Sequence, residues 1–505
     1  MTASTLMVVG SMSSVGKSLL VAALCRLLAR EGLAVAPFKA QNMSNNAAVC
    51  PDGGEIGRAQ ALQAMACGVE PSVDFNPVLI KPEADARAQV IVRGRPWRAL
   101  EARAYYACRA ELWAEITASL DRLRAAYDAV VIEGAGSAAE LNLLDGDIVN
   151  LAVARYAEAP VLLVGDVDRG GVFAQLLGTL MLLPPEDRSL VRGLVVNKFR
   201  GDPALFEDGV RILEERSGLP VAGVVPYLRG LTLPEEDAAA LDDRRPEAVR
   251  RGATRIAVLA LPRIANFDDV DALRAEPGVA VDFVASADEL GTPDAVIIPG
   301  SKSTVADLAW LRDTGLAGAV QDVAAAGGAV VGICGGYQML GRRILDPDRV
   351  ESRDASVPGL GLLDMETTFA ATKETHRVEA ELVGGLGWLT GLAGTAVTGY
   401  EIHMGRTAAA SPWLRITRRG EDRVDVPDGA ASRDGRVWGS YVHGLLDNAP
   451  LRRAWLADLG WRPDPGAAAS RTVEASLDAL ADAVGEALDM RLVRSLLRES
   501  TGARR

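Results

Sequence analysis

Short runs of branched apolar residues recur between the start of the chain and about residue 230, each followed by a stretch with one apolar face. Residues 6–9, 129–132, 161–164 and 194–196 are rich in Val, Leu and Ile and are bounded by Gly, Asp or Pro. Continuous apolar runs of this length predict strands buried on both faces, and the segments between them predict helices. Residues 18–30 have an apolar face at helical spacing and stop near Gly32. Strand and helix alternate, so this half is expected to be a doubly wound α/β domain with a parallel sheet. Between 234 and 252 the pattern breaks. Acidic and basic residues crowd there with few apolar ones, so a linker is expected at 233–251. A second alternation begins at Ile256, with strands expected at 256–261, 281–284, 295–298 and 329–333. From 447 the chain turns rich in Ala and Leu and reads as mainly helical. The expected division is 1–232, 233–251, 252–446 and 447–505, with no repeat at a fixed period.

Composition narrows the class. The chain has 505 residues, 49% hydrophobic and 24% charged, ample for more than one core. A net charge of −13 argues against nonspecific binding to nucleic acid or a membrane surface. Neither a basic, apolar leader nor an apolar run of about 18 residues is present, so a cytoplasmic location is expected. The five cysteines include no CxxC pair, which suggests neither a zinc site nor a disulfide framework. Cys25 sits in an apolar helical run and reads as core.

The run at 6–9 leads into Gly10-Ser11-Met12-Ser13-Ser14-Val15-Gly16-Lys17-Ser18 and then into a helix. That is the context of a phosphate loop. Loop N–H groups from Ser13 to Gly16 and the helix N-terminus would cradle phosphate oxygens. Lys17 would neutralise the β- and γ-phosphates, and the Ser18 hydroxyl would reach Mg²⁺. The usual spacing has Gly five residues before Gly16, where this chain has Ser11. Glu133 closes the run that starts at Asp128, and a carboxylate at the C-terminal end of a parallel strand points into the ligand crevice. It is a candidate metal ligand. Glu55, in Gly53-Gly54-Glu55-Ile56-Gly57-Arg58, lies on a Gly-rich loop and by composition alone reads as solvated.

A second site is written at 329–341. The run Ala329-Val330-Val331-Gly332-Ile333 ends at Cys334, followed by Gly335-Gly336-Tyr337-Gln338-Met339-Leu340-Gly341. Strand, sharp turn and helix with Cys at the turn describe a nucleophile elbow, and a helix N-terminus lowers a thiol pKa. Such a thiol needs a His. Of the three histidines, His443 stands at the end of the apolar run 437–442 and is the preferred partner. His403, in Gly399-Tyr400-Glu401-Ile402-His403, reads equally as structural or substrate-side. His376 reads as an exposed loop residue.

These residues carry a resemblance. The second half resembles a class I glutamine amidotransferase domain of flavodoxin-like fold. The first is similar to the dethiobiotin-synthetase-like ATP-dependent ligases, whose phosphate loop has the same shifted glycine. Longer stretches narrow this to the cobyric acid synthase family. They include Pro37-Phe38-Lys39-Ala40-Gln41-Asn42-Met43, Glu55-Ile56-Gly57-Arg58-Ala59-Gln60, Asn76-Pro77-Val78-Leu79-Ile80-Lys81-Pro82, Glu133-Gly134-Ala135-Gly136-Ser137 and Asn197-Lys198-Phe199-Arg200-Gly201-Asp202. Gly165-Asp166-Val167-Asp168-Arg169-Gly170-Gly171-Val172-Phe173, Leu261-Pro262-Arg263-Ile264 and Pro299-Gly300-Ser301-Lys302-Ser303-Thr304 belong to the same set. The resemblance covers about residues 4–446.

The resemblance implies a cytoplasmic, glutamine-hydrolysing amidoligase of cobalamin biosynthesis. ATP and Mg²⁺ would activate corrinoid carboxylates, and L-glutamine would supply ammonia at Cys334 and His443. It places Lys39 beside the phosphates, Asn197 near adenine, and Glu55 with Glu133 at the metal. The wider amidotransferase class has Glu two residues after the His, where this chain has Leu445, so His443 is expected to lack its anionic partner. Asp166 and Asp168 keep open roles. Partitioning-type ATPases carry a second lysine at the position of Met12, and its absence speaks against a non-catalytic nucleotide switch. An a,c-diamide-forming corrinoid amidase is the nearest enzymatic alternative.

Overall fold

The apolar runs become strands, most of them buried on both faces. Those of the first domain extend past their apolar cores. In the second, 295–298 and 329–333 match, the run expected at 256–261 is a strand at 254–259, and the strand over 281–284 is only partly buried. In this computed structural model, residues 2–84, 87–234, 253–384, 387–463 and 471–502 are described. The expected linker lies for the most part outside them. Strand β1 (Ser4–Gly10) leads into helix α1 (Lys17–Arg30), followed by β2 (Val35–Phe38) and α2 (Arg58–Cys67). Strands β3 (Ala129–Glu133), β4 (Val161–Asp166), β5 (Val191–Phe199) and β6 (Val221–Pro226) complete the first sheet. Its order is β6-β5-β4-β1-β3-β2, and every neighbouring pair is parallel. The chain departs from β1 in both directions across the sheet, so a crevice opens at its C-terminal end, where such sheets bind ligands.

The second domain repeats the principle. Strands β7 (Thr254–Leu259), β8 (Val279–Val284), β9 (Ala295–Ile298) and β10 (Ala329–Ile333) precede helix α3 (Gly335–Leu340). With β13 (Val437–Ser440), later in the chain, they form a parallel sheet in the order β8-β7-β9-β10-β13, edged by the short antiparallel strand Ala430–Ala431. Two long antiparallel strands, β11 (Met365–Leu382) and β12 (Ala396–Ala409), lie between α3 and β13 (Val437–Ser440). Their half-polar alternation is weaker than the apolar runs, and the sequence reading passed over them. His376 therefore sits on β11, not on a loop; it is half-buried, with Nε2 3.0 Å from Glu374 Oε2.

The C-terminal region divides between the two domains. Helix α4 (Ala449–Asp458) packs on the second, with Trp455 edge-on to Trp438 at 5.7 Å. Helices α5 (Val473–Ala487) and α6 (Met490–Gly502) return to the first. Leu477, Leu480, Val484, Val493 and Leu496 join the core formed by Leu20, Leu24 and Leu28 of α1 with Leu6 and Val8 of β1. The rim is charged: Arg26 and Arg30 share Asp478 at 2.7 and 2.6 Å, and Arg494 pairs with Glu31 at 2.7 Å. Exposed pairs of this kind add little, so burial is what holds α5 in place. No helix among the described residues is long and apolar enough to cross a membrane.

Leu477 is fully buried more than 440 residues from its partners in α1. Leu477→Ala should destabilise the first domain by about 2–5 kcal/mol. Urea unfolding followed by circular dichroism is expected to show a lower midpoint with an unchanged slope.

Candidate functional site

The phosphate loop is built at the end of β1. Gly16 has φ +95°, and a Cβ there would lie 2.3 Å from Asn197 Nδ2, so no side chain fits. Asn197, on β5, uses that amide to donate to the Val15 carbonyl at 2.7 Å and so props the loop from below. Lys17 arches back, with Nζ donating to the carbonyls of Gly136 (2.9 Å) and Met12 (3.2 Å). Glu133, fully buried at the end of β3, gathers the rest. Its Oε1 accepts from Ser18 Oγ at 2.8 Å and pairs with Lys39 Nζ at 2.9 Å, while Oε2 accepts from Gln63 Nε2 at 2.6 Å. Ser13, Gly16, Lys17, Ser18, Lys39, Glu133 and Asn197 line one cleft of about 1850 Å³. Leu480 and Val484 of the returning α5 also line it. A hydroxyl and a carboxylate oxygen converging at the loop are hard donors of the kind Mg²⁺ takes.

Glu55 is placed elsewhere. Its two oxygens accept from Lys81 and Lys373, and it makes no part of the cleft wall. Burial alone would raise its pKa, but Lys373 and Lys81 outweigh that and hold it down to about 2. Both oxygens are committed to ammonium groups, and the structure does not bring Glu55 to the cleft that Glu133 lines. Gln63 is the side chain that shares Glu133 instead, and the sequence reading missed it. Asp166 pairs with Lys198 at 2.9 Å and Asp168 with Arg200, so each of those carboxylates has its own cation.

The second centre stands at the C-terminal edge of the other sheet. Cys334 occupies a strained turn, φ 50° and ψ −105°, between β10 and α3. Gly336 makes the turn possible, since a Cβ there would come within 1.9 Å of the Ile298 carbonyl oxygen. The Cys334 N–H donates to the Ser440 carbonyl at 2.9 Å, tying the elbow to β13. His443 follows β13 by three residues and feels the charge of the Cys334 side chain, whose thiol donates to the Ile402 carbonyl at 3.5 Å. Its Nδ1 lies 2.7 Å from Asp269 Oδ2, and Asp269 Oδ1 accepts from the Gly444 N–H at 2.7 Å. His443 thus has an anionic partner after all, supplied by the turn Phe267–Val270 after β7. The cue in the sequence was Asp268-Asp269, four and five residues beyond the quoted Leu261-Pro262-Arg263-Ile264 stretch. His403 is buried, with Nδ1 on the Gly405 carbonyl at 2.8 Å and its ring stacked on Tyr441 at 3.9 Å.

Comparison with known proteins fits this pair of centres. Residues 6–239 match the CobQ/CobB/MinD/ParA nucleotide binding domain, and residues 255–451 match the CobB/CobQ-like glutamine amidotransferase domain. A cobyric acid synthase of Roseiflexus castenholzii is 56% identical over 466 residues, 92% of this chain and 93% of its own. One of Chloroflexus aurantiacus is 54% identical over 99% of this chain and all of its own length. One of Sorangium cellulosum is 53% identical over 98% of each. The chain belongs to the cobyric acid synthase family. The alignments with these relatives cover the C-terminal region too, which the motifs alone had left aside.

In this member of the cobyric acid synthase family, charge on the histidine follows from its neighbours. Burial would favour the neutral ring, but Asp269 and Cys334 outweigh it and raise His443 from 6.5 to about 10. A raised pKa stabilises the folded state below the unfolded value, and that contribution is lost as pH rises through the folded value. The window for His443 is therefore about pH 6.5 to 10. Asp269→Asn should shift its upper edge downward, read as an earlier loss of stability in urea midpoints measured across that range.

Proposed function

We propose that this chain is an ATP- and glutamine-dependent amidoligase acting on a corrinoid, with residues 1–232 and the returning helices as synthetase and 252–446 as glutaminase. The observation that carries the reading is the presence on one chain of a phosphate-loop centre opening on a large cleft and a Cys–His–Asp centre. The substrate class comes from the cobyric acid synthases to which the chain is similar. It is adenosylcobyrinic acid a,c-diamide, amidated at its b, d, e and g carboxylates to adenosylcobyric acid. A cleft of about 1850 Å³ exceeds the roughly 300–1,000 Å³ of ordinary ligand pockets and has room for a nucleotide beside a macrocycle. Arg87, Arg109 and Arg263 on its wall suit a polycarboxylate in an otherwise acidic protein.

The chemistry then divides. A carboxylate oxygen of the corrinoid attacks the γ-phosphorus of ATP, ADP leaves, and an acyl phosphate forms. Lys17 and the loop N–H groups stabilise the charge on the transferred group. Mg²⁺ held by Ser18 and Glu133 would supply further charge compensation. At the other centre the Cys334 thiolate attacks the side-chain amide of glutamine. His443 gives its proton to the departing ammonia, and Asp269 keeps the ring oriented. Water then cleaves the glutamyl thioester, with His443 taking a proton from it, and glutamate leaves. Ammonia attacks the acyl phosphate and expels phosphate, leaving the carboxamide. Mass spectrometry of the a,c-diamide incubated with the protein, ATP and glutamine should show four successive exchanges of OH for NH₂. No mass change with active nucleotide turnover would exclude this substrate.

Four variants separate the centres. Lys17→Ala should stop amidation with either nitrogen donor, by roughly 10²–10³-fold, since both need the acyl phosphate. Cys334→Ser and His443→Ala should abolish synthesis from glutamine yet keep synthesis driven by high ammonia, measured as carboxamide formed with each donor. Glu133→Gln should raise the Mg²⁺ concentration needed for half-maximal synthesis.

A further inference from the structure

Helix α2 reaches both centres, one from its first residue and the other from its middle. Gln63 donates Nε2 to Glu133 Oε2 at 2.6 Å and to the Ser18 carbonyl at 3.2 Å, so it touches the carboxylate and the helix start of the phosphate-loop centre. Arg58, the first residue of α2, crosses to the other domain. Its Nη2 pairs with Asp268 Oδ2 at 2.9 Å and donates to the Tyr400 hydroxyl, and its guanidinium carbon lies 5.1 Å from the Tyr400 ring centroid. Tyr400 stacks on His443 with centroids 5.1 Å apart and 16° between planes. Their backbones exchange hydrogen bonds of 3.1 and 2.8 Å. Asp268 is the chain neighbour of Asp269, which holds the His443 ring.

Five residues separate Arg58 from Gln63, a rise of about 7.5 Å. The helix start is fastened: the Gly57 N–H donates to Asn76 Oδ1 at 3.1 Å, the Arg58 N–H to the Asn46 carbonyl at 3.2 Å, and Asn42 Nδ2 to Gln60 Oε1 at 3.0 Å. A short helix held this way moves as one piece, and a rigid element biased by two sites is what links them energetically.

We propose that α2 couples the two centres: Gln63 registers how Glu133 and Ser18 are engaged, and Arg58 passes that state to Asp268 and Tyr400, which set the position of His443. A cation or nucleotide that recruits Glu133 changes the partner of Gln63, which gives the differential contact a coupling requires. Arg58 is a positioning residue for glutamine cleavage, acting through Asp268 and Tyr400. The inference rests on the two-centre amidoligase reading.

The test uses the full-length protein and follows glutamate release from saturating glutamine, with and without Mg·ATP and the corrinoid a,c-diamide. The unaltered protein should be stimulated roughly 5- to 150-fold by those ligands. Gln63→Ala should flatten that response. Arg58→Gln should lower kcat for glutamine by about 10²-fold with little change in KM, while synthesis from ammonia continues. Arg58→Lys should recover part of the loss. Arg58→Gln combined with Asp268→Asn removes both charges together and must show the same split, which keeps the test open if the single variant does not fold. An unaltered protein indifferent to nucleotide, a full response in Gln63→Ala, or a loss in Arg58→Gln confined to KM overturns the coupling. Absence of carboxamide with either donor in the unaltered protein overturns the amidoligase reading itself, a separate outcome.

Discussion

Asp268 and Asp269 stand side by side in one turn, and withdrawing two neighbouring carboxylates from water is offset when each meets its own cation. Asp269 meets His443 within the second domain. Asp268 meets Arg58, which belongs to the first. The backbone of the same turn is pinned from that side as well, since Asn266 Oδ1 accepts from the Ala47 N–H at 2.9 Å. The glutaminase centre is thus electrically complete only against its neighbour. Removing one partner of such a pair leaves a charge stranded in a dry seam, a loss of about 3–5 kcal/mol.

The same logic runs along the rest of the seam. Glu55 sits between Lys81 of its own domain and Lys373 of the other, and Glu83 receives Lys302 at 2.8 Å while its carbonyl accepts from Arg263 and Ser303. Ile402 and Tyr400 close on Ala47, Val49, Leu79 and Ile91 as a small apolar patch between these charges. Burial supplies the adhesion and the paired charges supply the register, because a slipped seam would leave each of them unmatched.

Much of this was legible in the chain. Strands buried on both faces are written as apolar runs, so both parallel sheets, the loop before Lys17 and the elbow at Cys334 could be placed from pattern alone. Glu133 followed from its place at a strand end. Asp269 did not, because it lies 174 residues before His443, whereas the familiar arrangement puts the acid two residues after it. Glu55 misled for the opposite reason. Its Gly-rich surroundings suggest an exposed loop, and nothing local shows that Lys81 and Lys373 will fold onto it. Long-range charge pairing carries no periodic signature, and so it escapes a reading built on period and spacing.

The return of α5 and α6 to the first domain sets a condition on how the protein is made. Leu480 and Val484 pack against α1 and form part of the cleft wall, yet they are made long after the residues of α1 that they cover. Domains ordinarily fold as they emerge, N-terminal first. Here the N-terminal sheet waits with α1 half-covered until α5 has been made, and the nucleotide cleft gains that wall only then.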